Sequence, residues 1–409
     1  GAPLLVPFYA IWPRAETLLV LQATFSATTP IPIFMLGRRL LRSSWLGFVF
    51  ALCYGLYAPT HGANFYDFHF LTMAAPLFAW VFYLLFTEHT RALVVMTAIT
   101  LGWREDTGAV LAFVGLMLAL SGVHPRRALK FTVVCATYFA LVKFVLMPLG
   151  GSHASFSDYY AKLRAPGAPG FWAVIETSLT NPFYVFDEVF GRKRLLYVLH
   201  LFVPLLFFPL RDRRTWIALV PAAVFTLMAS RDPLYSIYFQ YTVYWAPAAF
   251  LCLFLVLQRR FVDTNLRQAL NATSAAILLT TLLTSFYYGS VFESPKMRGG
   301  FVGVSYEWTD ADEARLIAFR ELVQHVPPDA SIATTSHECP HVSNRRDAYS
   351  IEIGYHDADF VLVRHRDASR KHPPGKEYQK AIDSGQYERI EKKKGFSLWK
   401  RTGQAGAEE

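Results

Sequence analysis

Three consecutive charged residues, Arg104, Glu105 and Asp106, separate two apolar runs of the sequence, residues 92–101 and 109–120. A charge inside a membrane is costly unless it faces a water-filled cavity or a partner. We therefore expect a helix hairpin whose turn carries the three charges at one membrane face. There the carboxylates could serve as general bases, and the arginine could hold a phosphate through two hydrogen bonds. An ordinary solvated turn between two spans is the alternative.

Two further loops carry polar side chains that would face the same side of the membrane. One runs from residue 61 to 70 and the other from residue 231 to 241. The candidate catalytic residues, which are acids and a histidine able to move a proton, are Asp67, His69, Glu105 and Asp106. The candidate substrate-binding residues, which could hold a phosphate or stack on a sugar ring, are Arg104, Tyr66, Arg231, Tyr238, Gln240 and Tyr241. The tyrosines taken alone could equally form an interfacial aromatic belt.

Metal binding has weaker support in the sequence. The acids of these loops could hold a divalent cation such as Mg²⁺ or Mn²⁺, but no cofactor is firmly indicated. His337 and His341 have the i, i+4 spacing of ligands on one helical face, yet Pro340 lies between them, so no metal site is assigned. Lys143 lies inside the apolar run 131–149, where its amine either reaches the interface or serves the site.

The composition is that of a membrane protein. The chain of 409 residues is 53% hydrophobic and only 17% charged, whereas soluble domains carry roughly 25% charged residues. Residues 1–290 hold about ten apolar runs, among them predicted spans over residues 15–37 and 195–210. Several of the runs are shorter than the roughly 20 residues that a perpendicular crossing needs. Short spans occur where the backbone lines a cavity. Within this predicted polytopic α-helical domain, residues 150–194 form a long outer loop with two segments that could lie along the interface as helices.

The distribution of positive charge predicts the orientation. The net charge of +9 comes from arginines and lysines grouped between apolar runs, a pattern that indicates topology and argues against nucleic acid as a partner. Alternating the loops puts five basic clusters on one side, at residues 38–42, 91, 126–130, 211–214 and 259–267. By the positive-inside rule this side is cytoplasmic, so the chain would be a multi-pass protein of the inner or plasma membrane. Residue 1 would then start outside, and we expect one span and the first outer loop to be missing upstream.

The polar C-terminal part predicts a small α/β domain over residues 291–401, on the extracytoplasmic side. Residues 312–325 form an amphipathic helix, residues 330–334 and 359–364 read as strands, and residues 387–399 read as a closing hairpin. Residues 402–409 are predicted to be disordered.

Five short motifs occur along nearly the whole chain in a recognisable order. They are residues 17–22 after a proline-rich start, Asp67 to His69, Arg104 to Asp106, Tyr238 to Thr242, and Pro340 to Ser343 with Arg345. In this combination the chain resembles a bacterial and archaeal family of predicted membrane proteins called domain of unknown function 2079, which is grouped with the C-type (GT-C) glycosyltransferases. The sequence departs from the family at Phe70 and Leu71, where Pro-Glu is expected after the histidine.

The resemblance implies a GT-C-like enzyme in the lipid bilayer that takes a sugar from a polyprenyl-phosphate donor at the extracytoplasmic face and passes it to an unknown acceptor. Asp67 and His69 would line the acceptor or metal side, and residues 104–106 would lie at the donor phosphate. Transfer would be a direct displacement in which a carboxylate of the missing outer loop activates the acceptor. A membrane transporter or lipid flippase is the main alternative, although no internal repeat is seen, and a membrane scaffold is another.

Overall fold

The computed structural model describes residues 2–150, 156–164, 172–351, 353–354, 357–364 and 373–402. It divides into two compact units: a helical unit of Gly1–Leu5 with Leu19–Val304, and a second unit of Val6–Leu18 with Ser305–Glu409. Residues up to Val304 pack with the helices, and Gly300 N donates to Tyr238 O at 2.8 Å. The domain boundary at residue 290 stays a prediction. Residues 403–409, which belong to the predicted disordered tail, lie outside the described residues.

The elements follow one another in this order. The helices are α1 (Ala2–Ile11), α2 (Ala15–Ala27), α3 (Pro30–Leu41), α4 (Ser44–Gly55), α5 (Ala58–Phe65), α6 (Ala74–Leu85), α7 (Thr90–Leu101), α8 (Thr107–Leu120), α9 (Pro125–Leu141), α10 (Met147–Leu149), α11 (Trp172–Thr180), α12 (Pro182–Val189), α13 (Arg192–Phe202), α14 (Trp216–Thr226), α15 (Ala246–Leu257), α16 (Arg267–Tyr288), α17 (Asp310–Gln324) and α18 (Pro373–Asp383). The strands are β1 (Arg298–Gly299), β2 (Val302–Gly303), β3 (Ile332–Thr334), β4 (Ala348–Ser350), β5 (Phe360–Arg364), β6 (Tyr387–Lys393) and β7 (Phe396–Arg401).

Four helical segments within the described residues are long and apolar enough to cross a membrane. They are Ala15–Leu41, Pro125–Leu149, Gln240–Val262 and Arg267–Tyr288. The shorter apolar helices α4, α6, α7 and α8 have 12 to 14 residues, and 14 residues span only about 21 Å of a hydrocarbon core about 30 Å thick. The chain is therefore a mostly helical membrane protein with a C-terminal sheet domain, while the total of about ten spans stays a prediction.

Two of the long segments have opposite environments. Gln240–Val262 is almost entirely buried among other helices, whereas very few residues of Pro125–Leu149 are buried. The exposed side chains of the latter include Val133, Val134 and Phe144, each more than half exposed. Such a large exposed apolar surface is what a helix facing lipid requires. Gln240–Val262 is thus a central helix, and Pro125–Leu149 is a peripheral one.

Small residues let the charged turn approach this peripheral helix. A Cβ at Gly108 would lie 3.0 Å from Cys135 O, and one at Gly115 would lie 2.6 Å from Thr132 Oγ1. Glycine at both positions therefore permits α8 to pack closely against α9, and this contact fixes the turn at the start of α8 beside the middle of Pro125–Leu149.

The central helix connects two chemically different ends of the helical unit. At its start, the Tyr244 hydroxyl donates to Asp106. At its far end, Arg259 pairs with Asp212, and Arg267 donates to Leu41 O at 3.2 Å. Residues from three of the predicted basic clusters therefore meet at the end remote from the Arg104 turn.

The first predicted span is confirmed as part of the candidate membrane segment Ala15–Leu41, although two helices make it up. One predicted loop and one later predicted span differ from the structure. Residues 61–65 of the predicted loop belong to α5. The span predicted over residues 15–37 is interrupted at Thr28 and Thr29, because Pro30 and Pro32 lack the N–H groups that a continuous helix needs. The span predicted over residues 195–210 ends as α13 at Phe202, since two left-handed residues follow, Leu206 with φ of 49° and Phe207 with φ of 55°.

The second unit contains a five-stranded sheet in the order β4-β3-β5-β7-β6. Strand β3 runs parallel to β4 and β5, and the other pairs are antiparallel. Helix α17 begins with a capping box between Thr309 and Asp312, and its Phe319 and Leu322 pack on the sheet. The predicted helix, both predicted strands and the closing hairpin are confirmed, whereas β4 and α18 were not predicted.

Candidate functional site

The turn between α7 and α8 is held by hydrogen bonds on every side. The Thr107 hydroxyl donates to Thr100 O at 2.8 Å, which closes the turn on itself. The Trp103 indole N–H donates to Phe70 O at 2.7 Å, and the Tyr138 hydroxyl donates to Leu101 O at 2.8 Å. The turn is therefore anchored to α7, to the loop after α5 and to α9, and its charged side chains are held in place.

The three charges of the turn form one cluster. Arg104 Nε lies 3.1 Å from Asp106 Oδ2 and 3.9 Å from Glu105 Oε1. The Tyr244 hydroxyl donates to the same Oδ2. The other carboxylate oxygen, Asp106 Oδ1, is buried and has no hydrogen-bond partner within the described residues. One oxygen of Asp106 is thus fixed, and the other remains available for a bond.

Burial changes the acidity of this carboxyl. It raises the pKa of Asp106 above the ordinary range of an aspartate, and the charge of Glu105 acts in the same direction. Arg104 and the Tyr244 hydroxyl offset part of this rise. A carboxylate with a raised pKa binds a proton more readily, which is the property that a general base needs.

These residues line a cavity of about 190 Å³. The remaining walls are mostly aromatic or apolar and include one more cation. The full lining is Arg104, Glu105, Asp106, Phe139, Lys143, Met147, Tyr159, Tyr160, Phe225, Leu234, Tyr241 and Tyr244. We call this space the Arg104 cavity. Of the ten residues singled out in the sequence, Arg104, Glu105, Asp106 and Tyr241 line it.

Arg231 lies beside this cavity. Its guanidinium stands 5.1 Å from the centre of the Tyr159 ring, and Tyr159 O accepts a hydrogen bond of 2.7 Å from Ser230 N. The segment that carries Tyr159 and Tyr160, Phe156–Leu163, is thereby fastened to the loop before α15. Arg231 therefore supports an aromatic wall and adds positive charge near it.

Tyr66, Asp67 and His69 form a separate group. The rings of Tyr66 and His69 stack with their centres 5.0 Å apart. The buried Gln22 of α2 holds the loop, since its Oε1 accepts from His69 N at 2.7 Å and its Nε2 donates to Asp67 O at 3.3 Å. Asp67 itself is exposed. None of the three is among the residues lining the Arg104 cavity, although Trp103 bonds to the neighbouring Phe70.

Tyr238 and Gln240 also lie outside the Arg104 cavity. Tyr238 lines a different cavity with Lys193, His200 and Tyr235. Gln240 is 5% exposed, and its Oε1 has no hydrogen-bond partner in the described part of the chain. Both residues shape the turn that leads into the central helix.

Among the described residues there is no group of three or more His, Cys, Asp and Glu side chains that could hold a metal. In the Arg104 cavity the two carboxylates both lie within 4 Å of the Arg104 guanidinium. The divalent cation stays a prediction. His341 belongs to the short 3₁₀ turn Cys339–His341, while His337 lies before that turn and is exposed.

The sequence reasoning missed three residues that the structure brings to the site. Tyr244 and Tyr160 line the cavity, and Gln22 clamps the neighbouring loop. The four-residue spacing of Phe139, Lys143 and Met147 could have indicated that one face of the helix lines a site, because residues i, i+4 and i+8 share a face. No such signal exists for Tyr244 or Gln22, whose partners are distant in the sequence.

Comparison with known protein families identifies the family of this chain. It belongs to the family of predicted membrane proteins described as DUF2079, whose model matches residues 3–398. No curated protein matches the sequence.

Proposed function

We propose that this member of the family is a GT-C-type glycosyltransferase that moves a sugar from a polyprenyl-phosphate donor to an acceptor hydroxyl. The observation that carries the proposal is the Arg104 cavity. It combines a buried carboxylate of raised pKa with a guanidinium 3.1 Å away and with aromatic walls. Such walls suit a sugar ring, and arginine is the usual partner of a phosphate that needs two parallel hydrogen bonds.

The donor would reach the cavity from the lipid. Phe139, Lys143 and Met147 line the cavity from the peripheral helix Pro125–Leu149, while Val133 and Val134 of the same helix are exposed. A polyprenyl chain can therefore lie along this helix in the bilayer while its phosphate enters the cavity beside Arg104 and Lys143. Lys143 then has a functional role at the site, which is one of the two interpretations of its sequence position.

Asp106 acts as the base in this proposal. Its Oδ1 takes the proton of the acceptor hydroxyl as the acceptor oxygen forms a bond with C1 of the sugar. The bond between C1 and the phosphate oxygen breaks, and its electron pair leaves with the polyprenyl phosphate, whose charge Arg104 stabilises. A single displacement of this kind inverts the configuration at C1. No step needs a metal.

The distribution of charge supports an extracytoplasmic site. Fifteen residues of the central helix separate Tyr244 from Arg259, which corresponds to about 22 Å along the axis. The end near Arg259 gathers basic residues, which are typical of the cytoplasmic side. The Arg104 cavity at the other end would then open to the outside.

Transport of a lipid-linked substrate is the second candidate function. The interruption of Ala15–Leu41 at Thr28 and the π-helical turn Val142–Leu146 favour it, because transporters often place broken helices around a site at membrane depth. Flux of a labelled lipid-linked sugar across proteoliposomes without sugar transfer would support this function over the first.

A transfer assay tests the proposal. Membranes containing the protein receive radiolabelled polyprenyl-phosphate sugars, and label appearing in a new lipid or protein acceptor is measured. We expect Arg104→Ala to abolish transfer while insertion and folding stay intact, since the developing phosphate charge loses its partner.

The matched control is Arg91→Ala, which removes an exposed arginine from the first turn of α7, at the other end of that helix. It should transfer as the unchanged protein does. Normal transfer by Arg104→Ala would contradict the proposed role of Arg104. If the unchanged protein transferred no sugar from any donor, the proposal that it is a glycosyltransferase would be wrong.

A further inference from the structure

Five arginines surround one concave surface at the end of the helical unit remote from the Arg104 cavity. Its volume is about 370 Å³. The lining residues are Arg211, Asp212, Arg213, Arg214, Val256, Arg259 and Arg260, and we call this surface the arginine pocket. It is built by the loop before α14 and by the π-helical turn Gln258–Val262 that ends the central helix.

The single acid of the arginine pocket is already used inside the fold. Asp212 pairs with Arg259 and accepts a hydrogen bond of 3.0 Å from Arg214 N. Arg211 stands 4.1 Å from the centre of the Phe208 ring and is thereby oriented. No ion pair joins the side chains of Arg211, Arg213, Arg214 or Arg260 to an acid in the described part of the chain. The pocket therefore presents several positive charges at close range that are free to attract an external anion.

The neighbouring residues indicate where this anion lies. Trp216 lies two residues after Arg214, is 52% exposed and donates its indole N–H to Leu210 O at 2.8 Å. An exposed tryptophan with one bonded polar atom at the end of an apolar helix is typical of the membrane interface. The exposed apolar side chain of Phe207 stands next to the same loop. Positive charge and interfacial apolar groups thus occur together.

We propose that the arginine pocket binds the phosphate headgroup of an anionic phospholipid. Arginine suits phosphate because its planar guanidinium can donate two parallel hydrogen bonds, and basic pockets at the ends of membrane helices can hold such headgroups. The arginines of one loop then have a role beyond setting topology. The inference does not depend on the proposed enzymatic activity, because the two sites lie at opposite ends of the central helix and binding is measured without turnover.

Native mass spectrometry of the detergent-solubilised full chain tests this site. The probes are phosphatidylglycerol, cardiolipin and phosphatidylcholine, with inorganic phosphate and glycerol 3-phosphate as soluble anions. We expect the two anionic lipids to be retained and phosphatidylcholine to be lost. The double variant Arg213→Gln with Arg214→Gln should weaken retention of the anionic lipids about thirtyfold, because two of the guanidinium groups that would bond to the phosphate in the pocket are lost. Both residues are exposed, so the fold should survive.

The matched control is Arg38→Gln with Arg39→Gln, an equally exposed pair at the end of α3. It removes the same charge from another basic cluster and should leave lipid retention unchanged. If both double variants lost lipid retention equally, the lipid would be attracted by the whole basic end of the helical unit, and the proposal of specific binding in the arginine pocket would be wrong. Retention of phosphatidylcholine as strong as that of the anionic lipids would overturn it as well. Binding of the soluble anions without retention of lipid would overturn the assignment to a headgroup.

Discussion

The helical unit contains two arginine–carboxylate pairs that look alike in the sequence and differ in their surroundings. Arg194 is only 7% exposed and lies 2.8 Å from Glu188; it also donates to Ala229 O at 2.8 Å and lies 4.4 Å from the centre of the Tyr235 ring. Arg104, with 30% of its side chain exposed, pairs with Asp106 at the wall of a cavity. The Arg194 pair joins α12 and α13 to the chain after α14. The Arg104 pair leaves Asp106 Oδ1 without a hydrogen-bond partner among the described residues.

The acidity of the two carboxyls follows the same division. Although burial opposes the charge of Glu188, its bonds to Arg194 and Lys162 hold its pKa below the ordinary range. For Asp106, burial exceeds the effect of Arg104, and the pKa is raised. A lowered pKa means that the folded state prefers the charged pair, whereas a raised pKa leaves a group poised to accept a proton. An arginine–carboxylate pair therefore stabilises the fold in one place and suits chemistry in the other.

The largest expected effect concerns the Arg104 cavity. Asp106→Asn keeps the shape of the side chain and removes its ability to accept a proton, so we expect transfer to fall by about 10²–10⁴-fold. The thermal unfolding midpoint in detergent should stay close to that of the unchanged protein. Glu188→Gln is the control, since it should retain transfer per folded molecule. More than about a tenth of the transfer activity surviving in Asp106→Asn would contradict the role of this residue as the base.

The second prediction concerns the Arg194 pair. Arg194→Met leaves Glu188 in a partly buried position without its main partner, and we expect a loss of about 3 kcal/mol in the free energy of unfolding. Chemical denaturation in detergent, followed by circular dichroism, measures this change. Arg104→Met should destabilise the fold much less, because the raised pKa of Asp106 lets its carboxyl take up a proton once the guanidinium is gone. Equal losses in the two variants would mean that both pairs serve the fold alike.

The smallest effect is a difference in pH dependence. Asp106 must be charged to act as a base, so transfer should decline as the pH falls through its raised pKa, above the ordinary range of an aspartate. Glu188 has a lowered pKa, so its contribution to stability is complete above the pKa of the unfolded chain and is lost as the pH falls through the lower, folded value. The transfer rate and the thermal unfolding midpoint are each measured against pH. On acidification the transfer rate should decline first, and the thermal midpoint should decline only at a lower pH. If stability were lost at a higher pH than transfer, the assignment of a raised pKa to Asp106 and a lowered pKa to Glu188 would be contradicted.

Much of the architecture was predictable because it depends on local patterns. The apolar runs predicted the membrane class, and the break at residues 102–106 predicted the turn between α7 and α8. In the second unit, the strand β5 and the hairpin of β6 and β7 follow from alternation and from the turn at Lys394 and Gly395, which both have positive φ. The interruption of Ala15–Leu41 was missed, although Pro30 and Pro32 signalled it, because mean hydropathy does not register a missing N–H.

What the sequence determined by itself is the membrane class, the family motifs and the presence of Arg104, Glu105 and Asp106 in one turn. Only the tertiary structure decided which distant residues join that turn. Tyr244 bonds to Asp106 across 138 positions of sequence, and Tyr241 lines the same cavity, while Asp67 and His69 remain with Gln22 and Tyr66. Hydropathy and spacing describe neighbours along the chain, whereas burial, and with it the raised pKa of Asp106, depends on side chains that come from other helices.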